Sequence, residues 1–171
     1  MNKAVPQEFS PITAHLVVPS ADEAIEFYRK AFDANELRRE TGPDGRIWIC
    51  ELLINRTRVL LHEEFPDMGL QAPVKLGGVS VQLHMYVPNA DASYAKAIEA
   101  GATSVMEPMD AFWGERYSQV QDPAGHRWVL ATQLEDLSPD QLHERAKEYK
   151  SEHAGMSQPA KVTKEAAFKA D

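Results

Sequence analysis

The stretch His15-Leu16-Val17-Val18-Pro19-Ser20-Ala21-Asp22 returns 69 residues later as His84-Met85-Tyr86-Val87-Pro88-Asn89-Ala90-Asp91. Histidine, valine, proline, alanine and aspartate coincide, and Ser20 and Asn89 are both good helix N-caps. Each copy reads as a strand, a proline that stops it, and a capped helix. The offset continues: Arg58-Val59-Leu60-Leu61 falls on Arg127-Trp128-Val129-Leu130. Two halves in one register indicate a duplicated module.

Local signals fill in each copy. In the first, Ile12–Val18 is a strand, and Ser20 with Glu23 forms a capping box. Ala24, Ile25, Tyr28, Ala31 and Phe32 follow at helical spacing. Strands are expected near Glu36–Thr41, Arg46–Ile54 and Thr57–His62, separated by Gly42-Pro43-Asp44-Gly45 and Asn55-Arg56. In the second, Ser80–Val87 is a strand and Ala90–Ala100 a helix stopped by Gly101. Strands follow near Thr103–Glu107, Arg116–Gln121 and Arg127–Thr132, the last preceded by the turn Asp122-Pro123-Ala124-Gly125.

This divides the chain into a first module at 11–62, a linker or flap at 63–78, a second module at 79–134, a helix at 138–150 and a flexible tail at 151–171. Ser138-Pro139-Asp140-Gln141 supplies the helix start. The expected class is α+β: two tandem βαβββ modules forming a curved mixed sheet around a cleft, plus a C-terminal helix.

Composition bounds the function. The 171 residues carry a formal net charge of −8, with 43% hydrophobic and 26% charged residues. That balance argues against nucleic acid or an anionic membrane as partner. The apolar runs are short, no signal peptide is evident, and Cys50 is alone. A cytoplasmic protein is expected.

Several motifs resemble one family. Ala24-Ile25-Glu26-Phe27-Tyr28-Arg29-Lys30-Ala31-Phe32 resembles the first helix of vicinal-oxygen-chelate proteins, the glyoxalase/bleomycin resistance/dioxygenase superfamily. Phe112-Trp113-Gly114-Glu115-Arg116-Tyr117, Asp122-Pro123-Ala124-Gly125-His126-Arg127-Trp128 and Leu134-Glu135-Asp136-Leu137-Ser138-Pro139 resemble segments of its PhnB-like branch. The resemblance spans roughly Ile12 to Lys150. It implies paired βαβββ modules, a homodimer and a small organic ligand in the cleft; it does not imply one activity.

In the family's metalloenzymes, four ligands come from the first and last strand of each module. Those positions correspond here to Thr13, Leu60, Gln82 and Val129. Leucine and valine cannot ligate, so the usual site reads as erased and no cofactor is expected. One pleat along the same face lie His15, His62, His84 and Ala131. Three histidines could hold zinc, iron, manganese or nickel, or could be polar cleft wall without metal.

The candidate ligand-binding residues are therefore His15, His62, Gln82, His84, Trp48, Trp113 and Arg116. Trp113 beside Arg116 suits stacking on an anionic aromatic ligand, or covering a dimer seam. Trp48 lines the cleft or packs in the core. The leading expectation is a protein that binds or modifies a small, possibly aromatic compound, with acid–base groups in His15, His62 and His84. The alternatives are a metal-dependent lyase, isomerase or dioxygenase with a displaced three-histidine site, and a non-catalytic interaction module.

Overall fold

A computed structural model describes residues 9, 10 and 12–152. The first module runs β1 (His15–Val18), α1 (Ala21–Phe32), β2 (Asn35–Thr41), β3 (Ile47–Ile54) and β4 (Thr57–Glu63). The linker carries a short 3-10 turn, Pro66–Met68, and one helical turn, α2 (Pro73–Leu76). The second module runs β5 (Gln82–Tyr86), α3 (Ala90–Glu99), β6 (Thr103–Asp110), β7 (Glu115–Gln121) and β8 (Arg127–Gln133). Helix α4 spans Pro139–Glu152. The expected tail falls largely on residues 153–171, outside the described residues.

The modules have one topology. Each is a four-stranded mixed sheet, ordered β1-β4-β3-β2 and β5-β8-β7-β6. In each, the first and last strands pair in parallel, with His15 opposite Leu60 and His84 opposite Val129. A parallel pair needs a long crossover, which the helix and hairpin of each module supply.

The helices start where the repeat predicts. The Ser20 side chain accepts from the Glu23 amide at 3.4 Å, and Asn89 accepts from Ala92 at 2.9 Å. Helix α1 buries Ala24, Ile25, Phe27, Tyr28, Ala31 and Phe32. That stripe packs on its own sheet and reaches the second module: the Phe32 and Trp128 rings are 4.8 Å apart. Leu16, Val18, Leu52, Leu61, Val120, Trp128 and Leu130 join the same core. The helix-side faces of both sheets thus meet in one core, leaving the opposite faces to carry any site.

A buried carboxylate fastens the modules. Asp122 accepts from Tyr28 Oη at 2.7 Å and from Trp128 Nε1 at 2.9 Å through one oxygen. Its other oxygen accepts from the His126 amide at 2.9 Å. The His126 ring in turn lies 3.0 Å from the Val17 carbonyl of the first module. Burial and the adjacent Asp122 charge hold the Tyr28 phenol well above its ordinary pKa, so it stays a donor.

The linker is seated on the same turn. The Val74 amide donates to the Ala124 carbonyl at 3.0 Å. Gly125 sits at φ +93°, and a Cβ there would lie 2.4 Å from Val74 nitrogen. Glu64 clasps the linker from the other side through the Ala72 amide and Lys75.

Asp122, Tyr28 and Trp128 are all buried, so removing one of them leaves a polar group short of a partner. Tyr28→Phe should lower unfolding free energy by about 1–3 kcal/mol. Asp122→Ala, which strands two ring donors, should cost about 2–6 kcal/mol at the same per-group penalty. Urea denaturation followed by tryptophan fluorescence checks both. Equal stability of all three proteins would show that this cluster does not join the modules.

Candidate functional site

On the face of the second sheet opposite the core, β5 presents Gln82, His84 and Tyr86, because alternate strand residues share a face. Strand β8 presents Val129 and Ala131, and β7 presents Glu115, Tyr117 and Gln119. The register aligns them: Tyr86, Ala131 and Tyr117 form one cross-strand row, and His84, Val129 and Gln119 the next. Val129 and Ala131 are buried beneath the rings; Gln82, His84 and Tyr86 are exposed.

Four rings gather there. His84 lies 4.7 Å from Tyr86 and 6.2 Å from Tyr117. Trp113 meets Tyr117 edge-on at 5.2 Å. Tyr86 remains 58% exposed and Trp113 37%, so the patch is open within one chain.

Glu115 is its polar centre. The carboxylate is buried, accepting from Tyr86 Oη on one oxygen and Trp113 Nε1 on the other, both at 2.7 Å. That hydrogen bond, with smaller contributions from burial and the Glu115 charge, raises the Tyr86 pKa and keeps the phenol protonated. Gln119 Nε2 donates to Tyr117 Oη at 2.8 Å, fixing the second tyrosine.

The turn before β7 aims this set. The Gly114 amide bonds the Ala111 carbonyl at 2.9 Å, closing a tight turn, and Gly114 adopts φ +89°. The amides of Leu134 and Glu135 both bond the Gly114 carbonyl. A Cβ at Gly114 would press to 3.1 Å on the Glu135 carbonyl. Trp113 and Glu115 are thereby held on either side of a position that favours glycine.

The first sheet carries a different set on its corresponding face. His15 and His62 meet edge-on at 4.6 Å. His62 Nδ1 lies 2.5 Å from the Glu63 carbonyl, which only accepts, so that nitrogen is the donor. Phe65 of the linker covers His62 at 5.5 Å, with the Arg46 guanidinium over the Phe65 ring. Partial burial, and second the neighbouring His62, lower the His15 pKa below the ordinary imidazole value.

The residues singled out from sequence therefore divide. His84, Gln82 and Trp113 belong to the second-sheet patch; His15 and His62 belong to the first sheet. Among the described residues, no three histidine, cysteine, aspartate or glutamate side chains gather as a metal-binding group.

Trp48 and Arg116 stand apart from both groups. Trp48 shares the face of Cys50 and Leu52, which are core residues, and rests at the strand's outer end over Gly42. Arg116 shares the face of Ser118 and Val120 and pairs with Asp91 at 2.7 Å and Asp110 at 3.1 Å. An arginine spent on two aspartates, beside a tryptophan bonded to a glutamate, does not suit an anionic ligand. Tyr86 and Tyr117 are not among the candidate ligand-binding residues read from the sequence, and Glu115, beside Trp113 and Arg116, is given no role there. The available signal was the alternation Glu115-x-Tyr117-x-Gln119 after the Trp-Gly turn.

The four positions that the sequence reading matched to metal ligands carry Thr13, Leu60, Gln82 and Val129. Leu60 and Val129 have no donor atom, and Thr13 Oγ1 is bonded to the Ser10 carbonyl at 2.9 Å. Gln82 alone remains a ligand type.

Comparison with known proteins places the chain. The profile of the Glyoxalase/Bleomycin resistance protein/Dioxygenase superfamily matches residues 10–130. An uncharacterized protein of Mycobacterium bovis is 42% identical over 134 residues, covering 77% of this chain and 88% of that protein. An Arabidopsis thaliana gene product of known structure has TM-score 0.58 and 26% identity, covering 72% of this chain and 98% of that one. A Bacillus cereus PhnB protein, at TM-score 0.53 and 14% identity over 72% and 99%, shares the fold. The chain belongs to the Glyoxalase/Bleomycin resistance protein/Dioxygenase superfamily.

Two measurements test the local geometry. By NMR, His15 should titrate below about 6.5, the free imidazole value, and move upward in His62→Ala. Because its folded pKa lies below its unfolded one, the stability it contributes is complete above the unfolded value and declines as pH falls through that range. A midpoint at or above 6.5 would contradict the reading. Gly114→Ala should destabilise the protein by about 1–3 kcal/mol and shift the Trp113 indole resonance. An unchanged spectrum would show that the turn does not position Trp113.

Proposed function

We propose that this superfamily member binds a small planar organic molecule on the open face of its second sheet, without a metal at the superfamily's usual position. One observation carries the reading: His84, Tyr86, Trp113 and Tyr117 collect on a single exposed sheet face around buried Glu115. Monomeric surfaces rarely gather exposed rings this way without a partner to cover them. Tyrosine and tryptophan offer a large rigid contact area with few torsions to freeze.

The donor set argues against metal chemistry at the usual place. Two of the four positions are aliphatic, and Val129 is floor beneath the rings. Gln82 and His84 instead border the patch as hydrogen-bonding wall.

Enclosure comes from a second copy of the chain. Within one chain the site-bearing faces of the two sheets both point away from the shared core. A homodimer that sets the first-sheet face of one copy against the second-sheet face of the other would bury the ligand. It would also bring His15, with its lowered pKa, across from the aromatic patch as a neutral proton acceptor at pH 7. The Phe112–Tyr117 segment supports placement in the PhnB-like branch. No helix among the described residues is long and apolar enough to cross a membrane, and a cytoplasmic location is part of the proposal.

Titration with neutral aromatic compounds, followed by Trp113 fluorescence, should give saturable binding. Trp113→Leu or Tyr117→Leu should weaken it about tenfold, near the upper end for one lost ring contact. Protein prepared without a metal-affinity tag should hold zinc, iron, manganese and nickel well below one equivalent. A stoichiometric metal that disappears in the His15→Ala/His84→Ala variant would overturn the proposal and favour a displaced metal centre.

A further inference from the structure

The duplication gives a crevice in one half a counterpart in the other, and one such pair is filled on one side only. In the first module, the start of α1 faces the β7–β8 turn. Tyr28, Asp122 and Trp128 close that crevice, leaving about 40 Å³ beside Pro19, Ser20 and Phe27. The 69-residue offset maps it onto the start of α3, facing the β3–β4 turn. There Ala97 stands in place of Tyr28, Val59 in place of Trp128 and Lys96 in place of Phe27. The turn is Asn55-Arg56 alone and brings no carboxylate. What remains is a cavity of about 370 Å³ at the seam between the modules.

Its lining joins apolar walls to a few polar groups, as small-molecule sites do. Ala31, Phe32, Leu53, Met85 and Val87 supply the apolar part; Asn55, Arg56, Ser93 and Lys96 supply polar groups. The seam is held in shape by Asn55 Nδ2, which donates to the Tyr86 carbonyl at 2.7 Å. Lys96 crosses to Asp33 at 2.5 Å, so its charge is met. Arg56 differs: its side chain forms no ion pair or hydrogen bond with another described residue. Its backbone sits at φ +64°, after Asn55 at φ +44°. Two-residue hairpin turns with both angles positive favour glycine at the second place, so an arginine is kept there against a local backbone cost. A cation without a countercharge beside an apolar cavity orients an amphipathic anion.

We propose that this seam cavity is a second ligand site, taking a small carboxylic acid whose ring or branched chain lies against Phe32, Leu53 and Met85 and whose carboxylate pairs with Arg56. The site is separate from the aromatic face, because Met85 lies on the other side of β5 from His84 and Tyr86. It stands whether or not that face binds a ligand.

The test titrates the full chain, methyl-labelled at methionine, with cyclohexanecarboxylate and with its neutral amide. Binding is read from the Met85 methyl resonance, and the Trp113 indole resonance reports on the other face. The acid should shift Met85 saturably, leave Trp113 in place and bind about tenfold tighter than the amide, the size of one hydrogen bond to a charged group. Arg56→Gly suits the turn and removes the cation. It should melt no lower than the wild type and bind the acid about tenfold more weakly. The wild-type comparison of acid with amide decides the matter even where the variant folds poorly. Equal binding of the two compounds, or unchanged affinity in folded Arg56→Gly, would overturn the carboxylate ligand. A Met85 resonance that neither compound moves would overturn the cavity as a site. A shift at Trp113 in place of Met85 would put the ligand on the aromatic face and overturn this inference while leaving that reading standing.

Discussion

Everything in this structure is arranged around one buried carboxylate, Asp122, in the turn between β7 and β8. It is reached by a phenol from the first module, an indole from the second and a backbone amide of its own turn. A carboxylate in an apolar core must be fully hydrogen-bonded, and one partner here, Tyr28, lies 94 residues away in sequence. Satisfying it therefore forces helix α1 onto strand β8. The aromatic contacts among Tyr28, Phe32 and Trp128 are the apolar side of the same contact.

That constraint decides where function can lie. With the helix-side faces of both sheets committed to a common core, each sheet retains one outward face. The two faces have diverged. The first bears a histidine pair partly roofed by the linker's Phe65. The second bears exposed rings over a floor of Val129 and Ala131. The duplicated backbone is kept, while the side chains facing outward share little beyond His15 and His84.

The outward face of the last strand in each module carries Leu60 and Val129, opposite His15 and His84. Apolar residues there let rings pack down on the sheet, and the polar centre shifts to Glu115 on the neighbouring strand. The Trp-Gly turn makes that shift possible. Gly114 at positive φ puts Trp113 alongside Glu115, so the indole donates to the carboxylate instead of standing free.

The sequence by itself determined the duplication, the capped helices and the class. Those rest on local physics: caps, stop signals and apolar periodicity act within a few residues, and the 69-residue offset needs only counting. The tertiary structure decided what the candidate residues meet. Alternation showed that Arg46, Trp48 and Cys50 share a face, but only packing revealed that face as the core side. Arg116 looked available until Asp91, 25 residues away, was found holding it. His15, His62 and His84 looked alike, yet the parallel pairing of each module put the first two on one sheet and the third on the other. Tyr86 and Glu115 gave no joint signal, since a hydrogen bond across 29 residues exists only after β5, β8 and β7 have paired. Strand order brings such groups together, and strand order is set by the burial of the whole core, not by any segment read alone.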